Sequence, residues 1–232
     1  MTTLRPQTAF VFDLDGTLVD SVYQHVLAWH EALTQEGVDL SVWRIHRRIG
    51  MSGGLFTSML LREIGADFSA ERVERVQRGH AAAYARVARD IRPLPGARAL
   101  LDVLTEAAIP WAVATSGRME NAGPALELLG IDPVRTPIIT RDMVLHAKPD
   151  PALFLAAAAR LNVEIENVLV VGDSVWDLLA AQRAHALGIG LLSGGYGLEE
   201  LDRAGAYRVY DDPADLLTHL DEVCTRDRTT GE

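Results

Sequence analysis

The sequence predicts an α/β protein, with a parallel sheet carrying helices on both faces and an all-helical module inserted after the first strand. Three features predict it. Short apolar runs such as Ala9–Phe12 and Val168–Val171 are continuous rather than alternating, the pattern of strands buried on both faces. Segments with helical spacing separate those runs, as crossovers between parallel strands require. From about Val22 to Arg89 the alternation lapses, leaving helical patterns without a strand.

Taken in order, Ala9-Phe-Val-Phe12 ends in an acidic loop and reads as a buried strand. Val22 to Glu36 places Val22, Val26, Trp29 and Leu33 on one helical face, and Gly37 ends it. Ser41 to Arg48 reads either way. Gly50, Gly53 and Gly54 predict a mobile or tightly turned loop before a helix near Leu55 to Ile64. Ser69 is placed to cap a helix running to about Arg89, with Glu71 in its first turn. Beyond it, Gly96–Ala107 is helical, Trp111–Ala114 a strand, and Met119–Leu129 a helix closed by Gly130. Thr136–Ile139 is a short strand, followed by a helix from Pro151 to Leu161, where the proline's missing N–H costs nothing. Val168–Val171 is a strand, Val175–His185 a helix and Ala186–Leu191 a strand. Glu199–Arg203, Tyr207–Val209 and Pro213–Val223 complete the chain, and the polar residues after Val223 are expected to fray. The division is a core of residues 1–18 and 92–232 and a helical module of residues 19–91, joined near Val19–Ser21 and Arg92–Pro95.

Composition narrows the function classes. The chain has 232 residues, with 32 acidic and 22 basic side chains and a net charge of -10, which disfavours nucleic acid. A small anionic ligand remains compatible, because backbone amides, one cation and a metal make a pocket locally positive. Cys224 is the only cysteine, so no intrachain disulfide forms. No apolar run approaches a membrane span, and Met1–Thr8 has no apolar leader core, so a cytoplasmic protein is expected. With no evident assembly segment, a monomer is expected and a dimer left open.

Four loops carry chemistry, each following an apolar run. In Asp13-Leu-Asp-Gly-Thr-Leu18, Asp13 and Asp15 flank one residue, so both carboxylates can reach a common point. Thr115-Ser-Gly117 offers a hydroxyl and backbone N–H donors, suited to phosphoryl oxygens. The third is Lys148-Pro-Asp150; the fourth, Gly172-Asp-Ser-Val-Trp-Asp177, sets Asp173 at a strand end and Asp177 one turn into a helix. Each has an ordinary reading, since Asp serves turns and first helical turns, and Thr-Ser-Gly serves as a cap. Lys148 is the only lysine among 22 basic residues. A compact ammonium is not interchangeable with a guanidinium where one charge must meet a carboxylate and a phosphate together. The joint pattern is a cluster of like charges, costly unless a cation neutralises it. Hard oxygen ligands without a histidine–cysteine cluster point to Mg²⁺ rather than Zn²⁺.

These motifs resemble the haloacid dehalogenase superfamily, in particular its phosphatase branch with a helical cap after the first strand of a Rossmann-like core. Asp13–Leu18, Thr115-Ser116, Lys148-Pro149 and Gly172–Asp177 are similar to its motifs I to IV, in that order. The likeness extends to Leu94-Pro-Gly-Ala97 and Gly194-Gly-Tyr-Gly197. The resemblance implies that Asp13 is a nucleophile forming an aspartyl-phosphate and that Asp15 is the acid/base. Thr115, Ser116 and Gly117 would hold the phosphoryl group, and Lys148 would orient Asp13. Mg²⁺ would be held by Asp13, the Asp15 backbone carbonyl and Asp173, with Asp177 ligating or supporting. The implied partner is a small phosphorylated metabolite.

Within the superfamily, Asp15 argues against dehalogenation, and the absence of lysine between Val19 and Pro95 argues against phosphonatase chemistry. His25 stands where β-phosphoglucomutase-like proteins and many sugar phosphatases carry a hinge histidine that meets the acid/base. The mutases also use a cap arginine, replaced here by Gly53, and a cap lysine, which is absent; Arg44, Arg47 or Arg48 could partly compensate. Arg47 is a candidate contact for a substrate carboxylate or second phosphate, and equally a solvated charge. Trp29 and Trp43 are candidates for the pocket wall or the core. The expectation is a phosphatase for phosphoglycolate-like or sugar phosphates, with a sugar-phosphate mutase and a non-catalytic metabolite binder as alternatives.

Overall fold

The computed structural model of the chain describes residues 8–63 and 69–224. It opens with β1 (Ala9–Phe12) and β2 (Val19–Asp20), then runs through α1 (Val22–Gln35), α2 (Val42–His46), α3 (Gly53–Glu63) and α4 (Ala70–Val87). β3 (Arg92–Pro93) returns the chain to α5 (Ala97–Glu106), β4 (Trp111–Ala114), α6 (Met119–Leu129), β5 (Ile138–Ile139) and α7 (Ala152–Leu161). There follow β6 (Val168–Gly172), α8 (Val175–Ala184), β7 (Leu187–Leu191), α9 (Leu198–Arg203), β8 (Ala206–Tyr210), α10 (Pro213–Thr218) and α11 (Leu220–Cys224).

Six strands form one parallel sheet in the order β5-β4-β1-β6-β7-β8. Side chains alternate across it, and both faces are buried. Phe10, Phe12, Leu169 and Val171 pack with Leu100, Leu104 and Leu126 of α5 and α6 on one face. Ala9, Val11, Val168 and Val170 pack with Phe154, Ala157 and Ala181 of α7 and α8 on the other. Two-sided burial is why the strands read as unbroken apolar runs.

Between β2 and β3 the chain is helical, and α1 to α4 gather a separate core around Trp29, Leu33, Ile45, Phe56 and Val76. The two crossings are tied together. β2 pairs antiparallel with β3, Val19 opposite Pro93, and the Leu94 amide donates to the Leu18 carbonyl at 2.9 Å. Ser69 caps α4, its hydroxyl accepting from the Arg72 amide.

Gly53 and Gly54 depart from expectation: they form the first turn of α3 rather than a loop. Ser52 starts that turn, accepting from the Phe56 amide through its carbonyl and from the Leu55 amide through its hydroxyl. Gly53 lies against Trp29, where a side chain would meet the indole at 3.5 Å. The ambiguous segment 41–48 contains the short helix α2, and Pro213–Val223 divides into α10 and α11. The expected strand at 136–139 narrows to two residues at the sheet edge. The predicted helix end at Ile64 and the tail beyond Cys224 lie outside the described residues. Among the described residues no helix is long and apolar enough to cross a membrane.

Candidate active site

Strands β4, β1 and β6 are neighbours in the sheet, so the loops leaving their carboxyl ends lie side by side. The Asp13 amide extends the ladder, donating to the Val171 carbonyl at 2.8 Å, and the Thr115 amide donates to Ile139 at 2.9 Å. These backbone bonds fix where Asp13 and Thr115 leave the sheet.

Lys148, from the segment between β5 and α7, is completely buried. Its Nζ contacts Asp13 Oδ1, and Asp177 Oδ1 at 2.7 Å. Burial opposes its charge, but the two carboxylates outweigh burial and raise its pKa. Asp177 is itself held: its Oδ2 accepts from the Ser174 amide at 3.1 Å and from the Ser174 hydroxyl at 2.5 Å. Asp173 accepts from the Thr17 hydroxyl at 3.1 Å.

Asp13, Asp173 and Asp177 each bring a carboxylate oxygen within 4.8 Å of the others, and all three are buried. Three carboxylates facing one ammonium leave a formal excess of two negative charges. At an effective dielectric of ~20, each carboxylate pair at such a distance repels by roughly 3.5 kcal/mol or more. The carboxyls respond accordingly. Burial pushes Asp13 up to about 7, with Lys148 opposing the rise and Asp177 adding to it. Burial, then Asp177 and Asp13, push Asp173 well above the ordinary carboxylate range. A hard divalent cation fits this donor set in charge and in ligand type. Asp13 and Asp173 are the residues suited to hold it. Asp177 is expected from sequence as a ligand or support; with both its oxygens engaged by Lys148 and Ser174, it fits the supporting place.

Asp15 stands apart from that cluster. Its Oδ1 accepts from the Ser21 hydroxyl at 2.6 Å and meets His25 Nε2 at 3.2 Å. Burial would raise its pKa, but His25 and Ser21 outweigh burial and lower it. Thr115 is buried, and its hydroxyl oxygen accepts from the Gly117 amide at 2.9 Å, leaving its proton to donate. The buried Ser116 hydroxyl has no partner among the described residues. Gly117 lines the cleft but does not offer its amide, which Thr115 occupies.

A cavity of about 640 Å³ opens over Asp13, Asp15, Thr115 and Ser116. The helical module contributes His25, Trp29, Phe56, Arg48, Arg78 and Gln77 to its wall. Arg47, a candidate substrate contact from sequence, is not among the lining residues. It forms an ion pair with Glu200, its guanidinium lies 4.3 Å over the Tyr196 ring, and its carbonyl accepts from the Tyr196 hydroxyl. Those contacts turn it toward the core domain, away from the cleft. Trp43 is likewise no pocket wall, being 65% exposed.

Sequence reasoning missed several participants. Thr17 and Ser21 lie in or beside the first motif and could have been weighed as carboxylate partners. His80 carried no signal, since its contact, His25, is 55 residues away.

A family model described as haloacid dehalogenase-like hydrolase matches residues 7–185. The phosphoglycolate phosphatase of Rhodospirillum rubrum is 32% identical over 217 residues, covering 90% of this chain and 88% of that protein. Hexitol phosphatase A of Escherichia coli is 31% identical, covering 83% of this chain and 88% of that one. Among solved structures, a hydrolase from Pseudomonas syringae superposes with a TM-score of 0.93 at 53% identity, covering 94% of this chain and all of that one.

Proposed function

The chain belongs to the haloacid dehalogenase-like hydrolases and is a phosphatase, as relatives above 30% identity are, and we propose that it hydrolyses a small phosphate monoester with Mg²⁺ through an aspartyl-phosphate on Asp13. The observation that carries the reading is the buried cluster of Asp13, Asp173 and Asp177 about Lys148, whose fully ionised form carries a formal excess of two negative charges. Mg²⁺ bound by Asp13, the Asp15 carbonyl and Asp173 would neutralise charge on the carboxylates and on the phosphoryl oxygens.

The remaining chemistry belongs to the chain. Lys148 holds Asp13 Oδ1 and favours the ionised carboxyl, leaving the other oxygen for attack on phosphorus. As that O–P bond forms, the bond to the leaving oxygen breaks and Asp15, acting in its protonated form, passes a proton to that oxygen. The Thr115 and Ser116 hydroxyls would donate to the phosphoryl oxygens. In the second step Asp15 takes a proton from water as the water oxygen attacks phosphorus, releasing phosphate and restoring Asp13. Residues 19–91 act as a cap that excludes bulk water during the first step. The cavity has room for more than a phosphoryl group, which suits substrates such as phosphoglycolate or sugar phosphates.

Asp13→Asn is expected to reduce Mg²⁺-dependent phosphate release from p-nitrophenyl phosphate to background; undiminished turnover overturns the nucleophile assignment. A panel of sugar phosphates and phosphoglycolate, assayed without a bisphosphate activator, is expected to yield inorganic phosphate. Isomerised sugar phosphate as the main product overturns the hydrolytic reading in favour of a mutase.

A further inference from the structure

His80, on α4, has no part in the reaction as described, yet it is buried at 7% exposure and lines the cleft beside His25, the partner of the acid/base. Its Nε2 lies 3.1 Å from His25 Nδ1, and His25 Nε2 lies 3.2 Å from Asp15 Oδ1. Aromatic rings clamp the pair: Trp29 stacks on His80 at 4.0 Å between centroids, and Tyr84 stacks on His25 at 3.9 Å. The line runs from α4 through α1 to the loop after β1.

With both rings neutral, donor and acceptor accounting places the protons. A carboxylate oxygen only accepts, so His25 Nε2 must carry hydrogen to bond Asp15. A neutral His25 then has a bare lone pair on Nδ1, and the Nε2 facing it on His80 must carry a hydrogen in turn. Burial, then the proximity of His25, lower the pKa of His80 well below the ordinary histidine value, which keeps its ring neutral. Without that donor, His25 is free to take the other tautomer, which sets a nitrogen lone pair against Asp15 Oδ1 and breaks the contact. Ser21 also bonds Oδ1, so both holding contacts fall on one oxygen and leave Oδ2 for the substrate.

We propose that His80 is a positioning residue: its Nε2–H fixes the tautomer of His25, which aims Asp15 Oδ2 at the leaving oxygen. This rests on Asp15 being the acid/base. The role is confined to proton delivery, so it appears in the dependence on the leaving group. p-Nitrophenolate departs without a proton, whereas phenolate, whose conjugate acid resembles tyrosine with a pKa of ~10, needs one. The quantity to compare is kcat/KM, which reports the step that forms the aspartyl-phosphate and is blind to its hydrolysis.

In the full chain with Mg²⁺, His80→Leu is expected to lower kcat/KM for phenyl phosphate by about 100-fold, the low end of what general acid catalysis supplies. For p-nitrophenyl phosphate the loss stays within about 3-fold, since no proton is delivered there. His80→Gln, whose amide N–H can stand where Nε2–H stood, is expected to recover most of the loss. Equal losses on both substrates, or Gln no better than Leu, overturn the proposal. Nitrogen-15 spectra of the imidazoles in the unaltered protein give a test independent of any variant. Both His25 and His80 are expected as Nε2–H tautomers, and a His25 protonated on Nδ1 overturns it. If wild-type protein hydrolyses neither ester, the phosphatase reading itself has failed, an outcome distinct from all of these.

Discussion

Lys148 joins the Asp13 loop to the fourth motif through one ammonium, and its removal strands two buried carboxylates. Breaking a buried ion pair by deleting one partner costs about 3–5 kcal/mol, because the other charge is left uncompensated. Lys148→Met is therefore expected to lower unfolding stability by about that much in urea titrations and to abolish turnover. Lys148→Arg should not restore turnover. The planar fork is bulkier than the ammonium and cannot sit between Asp13 and Asp177 against Phe154, 5.3 Å from Nζ. An active Lys148→Arg enzyme would contradict that account. Lys148 was legible in the sequence because it is the only lysine of the chain. Its second partner was not, since Asp177 resembled any acid in a first helical turn.

At the level of elements, two loops press against Asp173, the acid proposed to hold the metal. A side chain at Gly194, after β7, would come within 1.7 Å of Asp173 Oδ2, and one at Gly16 would come within 2.5 Å. The Ser193 hydroxyl locks those loops together by donating to the Gly16 carbonyl at 2.6 Å. Gly194→Ala is expected to displace Asp173 and to raise the Mg²⁺ concentration giving half-maximal turnover by about 10-fold or more, as disturbing the groups that orient a ligand does. An unchanged Mg²⁺ titration would show that Asp173 does not need that close approach. The same segment receives α2 of the helical module: His46 Nε2 meets the Gly194 carbonyl at 2.8 Å, and Arg47 pairs with Glu200. One edge of the module is thereby seated on the core. Sequence could not reveal this, because Arg47 and its partner are 153 residues apart. A basic residue beside a glycine loop is chemically as suited to a phosphate as to a carboxylate.

For the molecule as a whole, the site concentrates negative charge inside a protein already at -10. A cation that binds only the folded state stabilises it by about 2.7 kcal/mol at 100 times its dissociation constant. Added Mg²⁺ is expected to raise Tm in a concentration-dependent manner, with reversal by chelator and loss of the effect in Asp173→Asn. A Tm indifferent to Mg²⁺ would count against a metal at these carboxylates. The sequence by itself determined the parallel sheet, the helical insertion and the four loops, because strand burial, helix periodicity and motif chemistry are written within a few neighbouring residues. Which side chains complete the site was decided only by the tertiary structure. His80 behind His25, Ser174 beneath Asp177 and Gly194 against Asp173 owe their roles to packing between distant segments. The residue types alone leave that packing open, since hydrogen bonds and close approaches depend on where folding brings each group.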